Sequence, residues 1–459
     1  MRNNRIQAVL EKHFTGASMD YRQMVSLFIP ILVDQAFLTG FNLLNTAMVS
    51  SSGVAAVSAV SMIDSLNIFL INVFVAVATG GTVVVAQYKG SGNGKMVSRA
   101  AASAVSSVTL LAVLIGALVV SFYHPLLRAL FGSASPDVMA EAQTYLIGSG
   151  VSYAGIAIVQ AVCGVLRGVG RSRASLALSM IMNLSYLLLN AVLILLLHQG
   201  VLGLSISANV SRYAAAVCAL VYLVKTSAEL KVRMRDLLHF NLAMLRKILF
   251  IGLPFAAEQM FFNGGKMLTQ VFIVSLGTYA LAANAVCNTL ASVYQIPSGA
   301  LSLTAVTVVG QCVGSRNIAD ARKFTRSFVW LSSLALTLTA LILLPLSKPL
   351  VDLFQPPAEI YDDIYWILLI NAIAQIPLWS ISFILPSALR AAGDSKYTSI
   401  VSMLSMWLFR VVLGYILAIV LHVGLLGVWI AMNCEWGVRG LIFLRRYRGE
   451  KWYRHRLVD

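Results

Sequence analysis

Pro30-Ile-Leu-Val-Asp34-Gln35 places a carboxylate inside an otherwise apolar run, and Pro254-Phe-Ala-Ala-Glu258-Gln259 repeats the arrangement 224 residues later. The same spacing joins Gly40 to Gly264, Gln87 to Gln311, Gly90 to Gly314, Pro125 to Pro349, His198 to His422, Gly203 to Gly427 and Asn209 to Asn433. Leu166-Arg167-x-x-Gly170-x-Ser172 recurs as Leu389-Arg390-x-x-Gly393-x-Ser395 at a spacing of 223. A spacing held across a whole half-chain marks a duplication, and it sets the two acids at corresponding points of two copies.

Composition says what surrounds them. Of 459 residues, 59% are hydrophobic and only 11% charged, with a mean hydropathy of +0.82. A soluble domain carries about 25% charged residues, so this chain requires lipid. Twelve apolar runs are long enough to span a bilayer, which takes roughly 20 residues. They lie near 23–48, 54–80, 98–123, 139–163, 174–198, 203–225, 246–275, 279–311, 324–347, 361–387, 397–421 and 424–444. The expected fold is an all-α integral membrane protein with twelve transmembrane helices in two pseudo-symmetric six-helix bundles. The first bundle is expected over 1–225, a cytoplasmic linker over 226–245, and the second bundle over 246–459 with a basic cytoplasmic tail. An even number of spans per copy gives both copies one orientation, a parallel repeat.

The net charge is +16, and its distribution is a topology signal. Arg128 and Lys348 fall on one side, and Arg212, Lys266 and Arg410 are read inside spans. The remaining Lys and Arg occupy the termini and the loops after even-numbered spans. Positive loops stay in the cytoplasm, so both termini are expected there and a nucleic-acid partner is not. The five cysteines are scattered in apolar segments, without metal or disulfide spacing. Gly90-Ser-Gly92-Asn-Gly94-Lys95-Met96 lacks the spacing of a phosphate loop. His198 and His422 sit at helix ends where capping or interfacial roles are usual. With no nucleophile elbow or zinc motif either, an enzyme is not expected.

Polar residues inside the spans are the candidate sites. Asp34, twelve residues past Arg22, lies about 18 Å along a helix, near mid-membrane. It is either a neutral acid bonded to another helix or a proton or cation site. Asn45 returns to nearly the same face. Asp64 and Asn67 sit in a polar cluster on the second span, and the repeat puts Asn288 opposite Asp64, with Asn284 and Gln295 on its face. Helix seven carries Gln259, Asn263 and Lys266 beside Glu258, as the first helix carries Gln35 beside Asp34. Lys266 either tunes the acids or finds its own partner. Arg212 and Arg410 are expected to balance the acids along the seam between the two bundles, and Glu435 with Arg439 to form a structural i,i+4 pair.

Combined with Ala55-Ala-Val-Ser-Ala59, Gly80-Gly-Thr-Val-Val-Val-Ala-Gln87-Tyr-x-Gly90, Gly310-Gln311-x-x-Gly314, Leu166–Gly170 and Leu389-Arg390-Ala-Ala-Gly393-Asp394, the chain resembles a bacterial MATE (multidrug and toxic compound extrusion) transporter. The resemblance implies a protein of the bacterial inner membrane that exports organic cations and other amphipathic drugs. It would do so by alternating access, in exchange for inward H⁺ or Na⁺ and with no further cofactor. Asp34, Asp64 and Glu258 would couple the ion, and a monomer is expected. Two departures stand out. The family's first-helix acid falls at Asn45, and its helix-ten acid at Trp379, with only Asn371 and Gln375 nearby. A flippase for lipid-linked precursors would need a strongly cationic cavity, against which the spans read as three bases to four acids. A major-facilitator carrier would need a Gly-x-x-x-Asp-Arg-x-Gly-Arg-Arg loop where Tyr88-Lys-Gly-Ser-Gly-Asn-Gly-Lys95 stands.

Overall fold

In the computed structural model, which describes residues 11–50, 52–132, 135–226, 230, 232–238, 241–352, 358–454 and 457, the apolar runs are helices. The first six long ones are α1 (Tyr21–Ser50), α2 (Val54–Gly90), α3 (Gly94–Ser121), α4 (Pro136–Gly168), α5 (Ser172–Asn190) and α6 (Gly200–Val221). The next six are α7 (Leu242–Ser275), α8 (Thr278–Gly314), α9 (Ile318–Leu343), α10 (Tyr361–Ala391), α11 (Ser395–Ser405) and α12 (Leu425–Arg448). π turns prolong α5, α6 and α11. Among the described residues there is no strand, and ten helices are long and apolar enough to cross a membrane. The two long helices outside that set, α7 and α12, are those carrying Glu258 and Lys266, and Glu435 and Arg439. Leu188, Val217, Leu341, Ile373 and Leu441 are all exposed, as lipid-facing side chains should be. This is an all-α integral membrane protein.

α2 and α8 each run 37 residues, about 55 Å at 1.5 Å per residue, against a hydrocarbon core of about 30 Å. Each is therefore much longer than that core is thick.

The repeat persists in the backbone. Gly53 and Gly277, preceding α2 and α8, have φ of 97° and 103°. After the Leu-Arg pairs, Gly170 and Gly393 have φ of 94° and 103°. There the amides of Arg171 and Asp394 donate back to the carbonyls of Leu166 and Leu389, the left-handed C-terminal turn that glycine adopts without steric cost. His198 and His422 take positive φ, 52° and 54°, at the ends of the π-extended helices. The histidines at the expected helix ends are thus left-handed turn residues.

By their contacts the residues form two units. One is Ile29–Ala256; the other is Ala257–Leu457 with the described residues up to Phe28. The boundaries thus differ from those expected at 225 and 246, because α1 and α7 each run unbroken through a division point. In the second unit the Ser18 amide donates to the Asp320 carboxylate (2.7 Å), Lys323 donates to the Thr15 carbonyl (2.6 Å), and Phe14 packs on Phe328. In the first unit the described part of the expected linker lies along α3, where Ser98 and Ser106 donate to the carbonyls of Leu230 and Leu237. Residues 227–229, 231 and 239–240 of that linker, and 455–456 and 458–459 of the expected tail, lie outside the described residues.

In the first unit α2 and the start of α7 meet at glycines. A Cβ on Gly80 would stand 2.5 Å from the Ile248 carbonyl oxygen and 2.8 Å from the Gly252 nitrogen. Gly80→Val should therefore force the helices apart, at a cost of about 1–3 kcal/mol as for an overpacked core. Gly299→Ala, with nothing within 4 Å of the new methyl, is the control. Thermal melts of the purified variants would check both, and equal melting temperatures would refute the close approach.

Candidate functional site

Each bundle holds one of the duplicated acids, and the two are partnered differently. In the second bundle Glu258 is 8% exposed and accepts from the Arg390 guanidinium at 2.9 Å and the Ser399 hydroxyl at 3.0 Å. Arg390 comes from the last turn of α10, whose final residues are buried. An ion pair this enclosed is hard to break from one side, since removing one partner strands the other charge. Glu258→Gln should destabilise the protein by about 3–5 kcal/mol, read as a lower melting temperature. Glu258→Gln combined with Arg390→Met should recover much of the loss; no recovery would remove the ion pair as its cause.

In the first bundle Asp34 is 6% exposed, and the repeat places Arg167 where Arg390 stands. The Ser179 hydroxyl serves the carboxylate, and Arg167 acts on it only through its field. Oδ1 is buried with no hydrogen-bond partner among the described residues. Asp is one methylene shorter than Glu, and that segment of the side chain is what closes the pair in the other bundle. The first copy thus has a buried carboxylate oxygen left open.

Asp64 belongs to a separate network in the first bundle. Its Oδ1 accepts from Tyr145 (2.8 Å) and from Asn67 (3.3 Å). Asn67 also donates to Ser149 (3.0 Å) and accepts from Tyr153 (2.7 Å). Arg212 donates to Ser152 at 2.6 Å and acts electrostatically on Asp64. Asn45 accepts from Asn190 of α5 at 2.7 Å, so α1 and α5 are tied by an amide pair. Gln35 is half-buried.

The second bundle also holds a cavity of ≈ 270 Å³. Lys266, Gln270, Asn284, Asn288 and Arg410 give it polar groups, and Ile273, Val428, Trp429 and Met432 an apolar wall. The Trp429 indole donates to Asn284 (3.1 Å), whose amide donates weakly to Gln270 (3.4 Å). Asn288 and Asn263 each donate one turn back, to the carbonyls of Asn284 and Gln259. Gln259, Asn263, Gln295, Asn371 and Gln375 are not among the cavity's lining residues. Asn371 and Gln375 are fully buried on α10, and neither side-chain amide has a partner among the described residues.

Two expectations are corrected here. Arg410 does not balance Asp34, Asp64 or Glu258: it pairs with Glu435 at 2.7 Å, and Glu435 also holds Arg439 at 2.8 Å. Glu435–Arg439 is the expected i,i+4 pair, enlarged by a third charge. The reading of three bases in the spans also fails, because Arg390 and Arg439 are 5% and 2% exposed within α10 and α12. Arg390 read as a loop residue because it ends a helix beside a glycine turn. The signal that it matters was its place in the duplicated Leu-Arg pair, on the same repeat as the acids.

The profile of the MatE family matches this chain twice, over residues 30–196 and 254–416. The chain belongs to the MatE family. The two matches begin 224 residues apart, at Pro30 and Pro254, the spacing of the acid-bearing stretches. Among relatives, the MatE chain is 27% identical to the uncharacterized transporter YisQ of Bacillus subtilis over 94% of each chain. It is 23% identical to a protein of Thermotoga maritima named as a probable multidrug resistance protein, NorM, over 94% of this chain and 93% of that one. The structure of an outward-facing multidrug resistance MATE family transporter superposes with a TM-score of 0.85 at 19% identity, covering 93% of this chain and 94% of the other, a likeness of fold. MatE proteins are membrane transporters, and this one carries an open acid in one bundle and a cation-lined cavity in the other.

Proposed function

We propose that this MatE protein is a secondary active exporter of the bacterial inner membrane. It moves amphipathic small molecules, organic cations among them, out of the cell in exchange for inward protons, with the two bundles alternating access. Both termini face the cytoplasm, as the positive loops require, and a monomer suffices. The observation that carries the reading is Asp34: a buried carboxylate with one oxygen unpartnered is poised to take up and release a proton. Protons fit this site better than Na⁺. Arg167 acts on the carboxylate through its charge, which a bound Na⁺ would meet as repulsion. The names of relatives, multidrug resistance proteins among them, support the export of drug-like cargo.

Protonation of Asp34 and Asp64 from outside would favour the state that releases cargo, and deprotonation towards the cytoplasm the state that loads it. Such linkage needs only that ion and cargo prefer different states. Uptake of ethidium and of carboxyfluorescein into everted vesicles, driven separately by imposed proton and sodium gradients, tests the proposal. A proton gradient should drive accumulation of at least one dye. Accumulation driven by sodium alone would overturn the coupling ion. If neither gradient moved either dye, export itself would lose its support, and a lipid-linked precursor would be the cargo to try.

A further inference from the structure

The polarity of the second-bundle cavity is not what an organic cation requires. Three cations surround the ring of Phe262: Lys266 at 5.0 Å, Arg410 at 5.3 Å and Arg439 at 5.9 Å from its centroid. Glu435, fully buried, is shared by the two arginines. The other acid of these helices, Glu258, is taken by Arg390, which lies near enough to Arg439 for their charges to interact. Four cations therefore meet two carboxylates, a surplus of two positive charges inside one bundle.

The surplus is turned towards the cavity. Lys266 lines it, is exposed, and has neither an ion pair nor a hydrogen bond among the described residues. Arg410 lines it too, 6% exposed, with its Nε unpartnered. The Trp429–Asn284–Gln270 chain fixes the amides so that Gln270 accepts through its oxygen, which leaves its amide nitrogen to donate. Among the described residues no acid lines the cavity. An ammonium, a guanidinium edge and an amide N–H₂ converge beside an apolar wall. A charged donor with no acceptor among the described residues, such as the Lys266 ammonium, forms strong charge-assisted hydrogen bonds with an anion that meets it.

We infer that this cavity recognises an organic anion: an amphiphile whose carboxylate or phosphate head meets Lys266 and Arg410 while its apolar body packs on Trp429, Val428 and Ile273. The shared chemistry admits two sources, a free solute or the head group of an anionic lipid. That the anion is cargo rests on the exporter reading; that it binds does not.

Binding is therefore measured without any gradient, by calorimetry on the whole protein in phosphatidylcholine nanodiscs. The probes are 1-naphthylacetate, 1-naphthylmethanol and 1-naphthylmethylammonium, which share one apolar body and differ in charge. The acetate should bind tightest, and Lys266→Gln should weaken it by roughly tenfold to a hundredfold, the worth of a hydrogen bond to a charged group. Lys266→Arg should restore most of the affinity, which excludes damage to the fold as the cause. Tightest binding of the ammonium probe, or equal acetate affinity in Lys266→Gln and the parent, would overturn the inference. In phosphatidylglycerol nanodiscs, loss of the acetate signal assigns the site to a lipid head group and its persistence to a free solute, and both outcomes uphold anion recognition. Because no transport is read, a protein that binds the acetate yet moves no dye would sink the exporter reading and leave this one standing.

Discussion

Glu435→Gln should be among the most damaging single substitutions in this protein. Glu435 is fully buried on α12 and is, among the described residues, the one acid holding Arg410 and Arg439, themselves 6% and 2% exposed. Without its charge two guanidiniums remain in a low-dielectric interior, with Lys266 facing the same ring. Stranding one buried charge costs about 3–5 kcal/mol, and like-charge repulsion adds to it. Arg439→Met removes a cation and keeps the Arg410–Glu435 pair, so it should be the milder change, even though Arg439 also bonds Ser382 and covers Phe383. Melting temperatures and membrane yields would rank the two. If Glu435→Gln melted at or above Arg439→Met, the acid would not be what holds the arginines in place.

Asp34→Asn should do the opposite: leave stability nearly unchanged and abolish transport driven by a proton gradient. The amide is isosteric with the carboxylate, and its oxygen can still accept from Ser179. No ion pair is lost, because Arg167 acts on Asp34 without bonding it. What is lost is the proton. Gradient-driven accumulation should fall by about tenfold or more, the rate equivalent of about 1.4 kcal/mol, at equal protein level in the membrane. Downhill exchange of cargo, which needs no proton cycle, should continue. Normal pumping by Asp34→Asn would remove this acid from the mechanism. The contrast with Glu258→Gln is the sharper test. The two duplicated acids should fail in different measurements, one in coupling and the other in stability.

The residues that carry these predictions were legible to different degrees. The duplicated Pro-x-x-x-acid-Gln stretches singled out Asp34 and Glu258, and the alternation of apolar and basic segments marked each helix. Spacing and hydropathy lie along the chain, so the sequence by itself determined the duplication, the all-α membrane class, the order of the helices and the presence of ionisable groups within them. It did not reveal which groups meet. Glu258 and Arg390 are 132 positions apart, and whether they touch depends on ångström-scale approach between α7 and α10. The same approach, one methylene short, leaves Asp34 open in the other copy. Arg390 looked like a solvated helix end, because a sequence shows how basic a segment is and not how far its neighbours bury it. The tertiary structure alone decided that two equivalent acids are partnered differently, and that the second bundle holds more positive charge than its acids neutralise. A charge in a bundle is defined by what lies across from it, and distant segments supply that partner only once they are packed together.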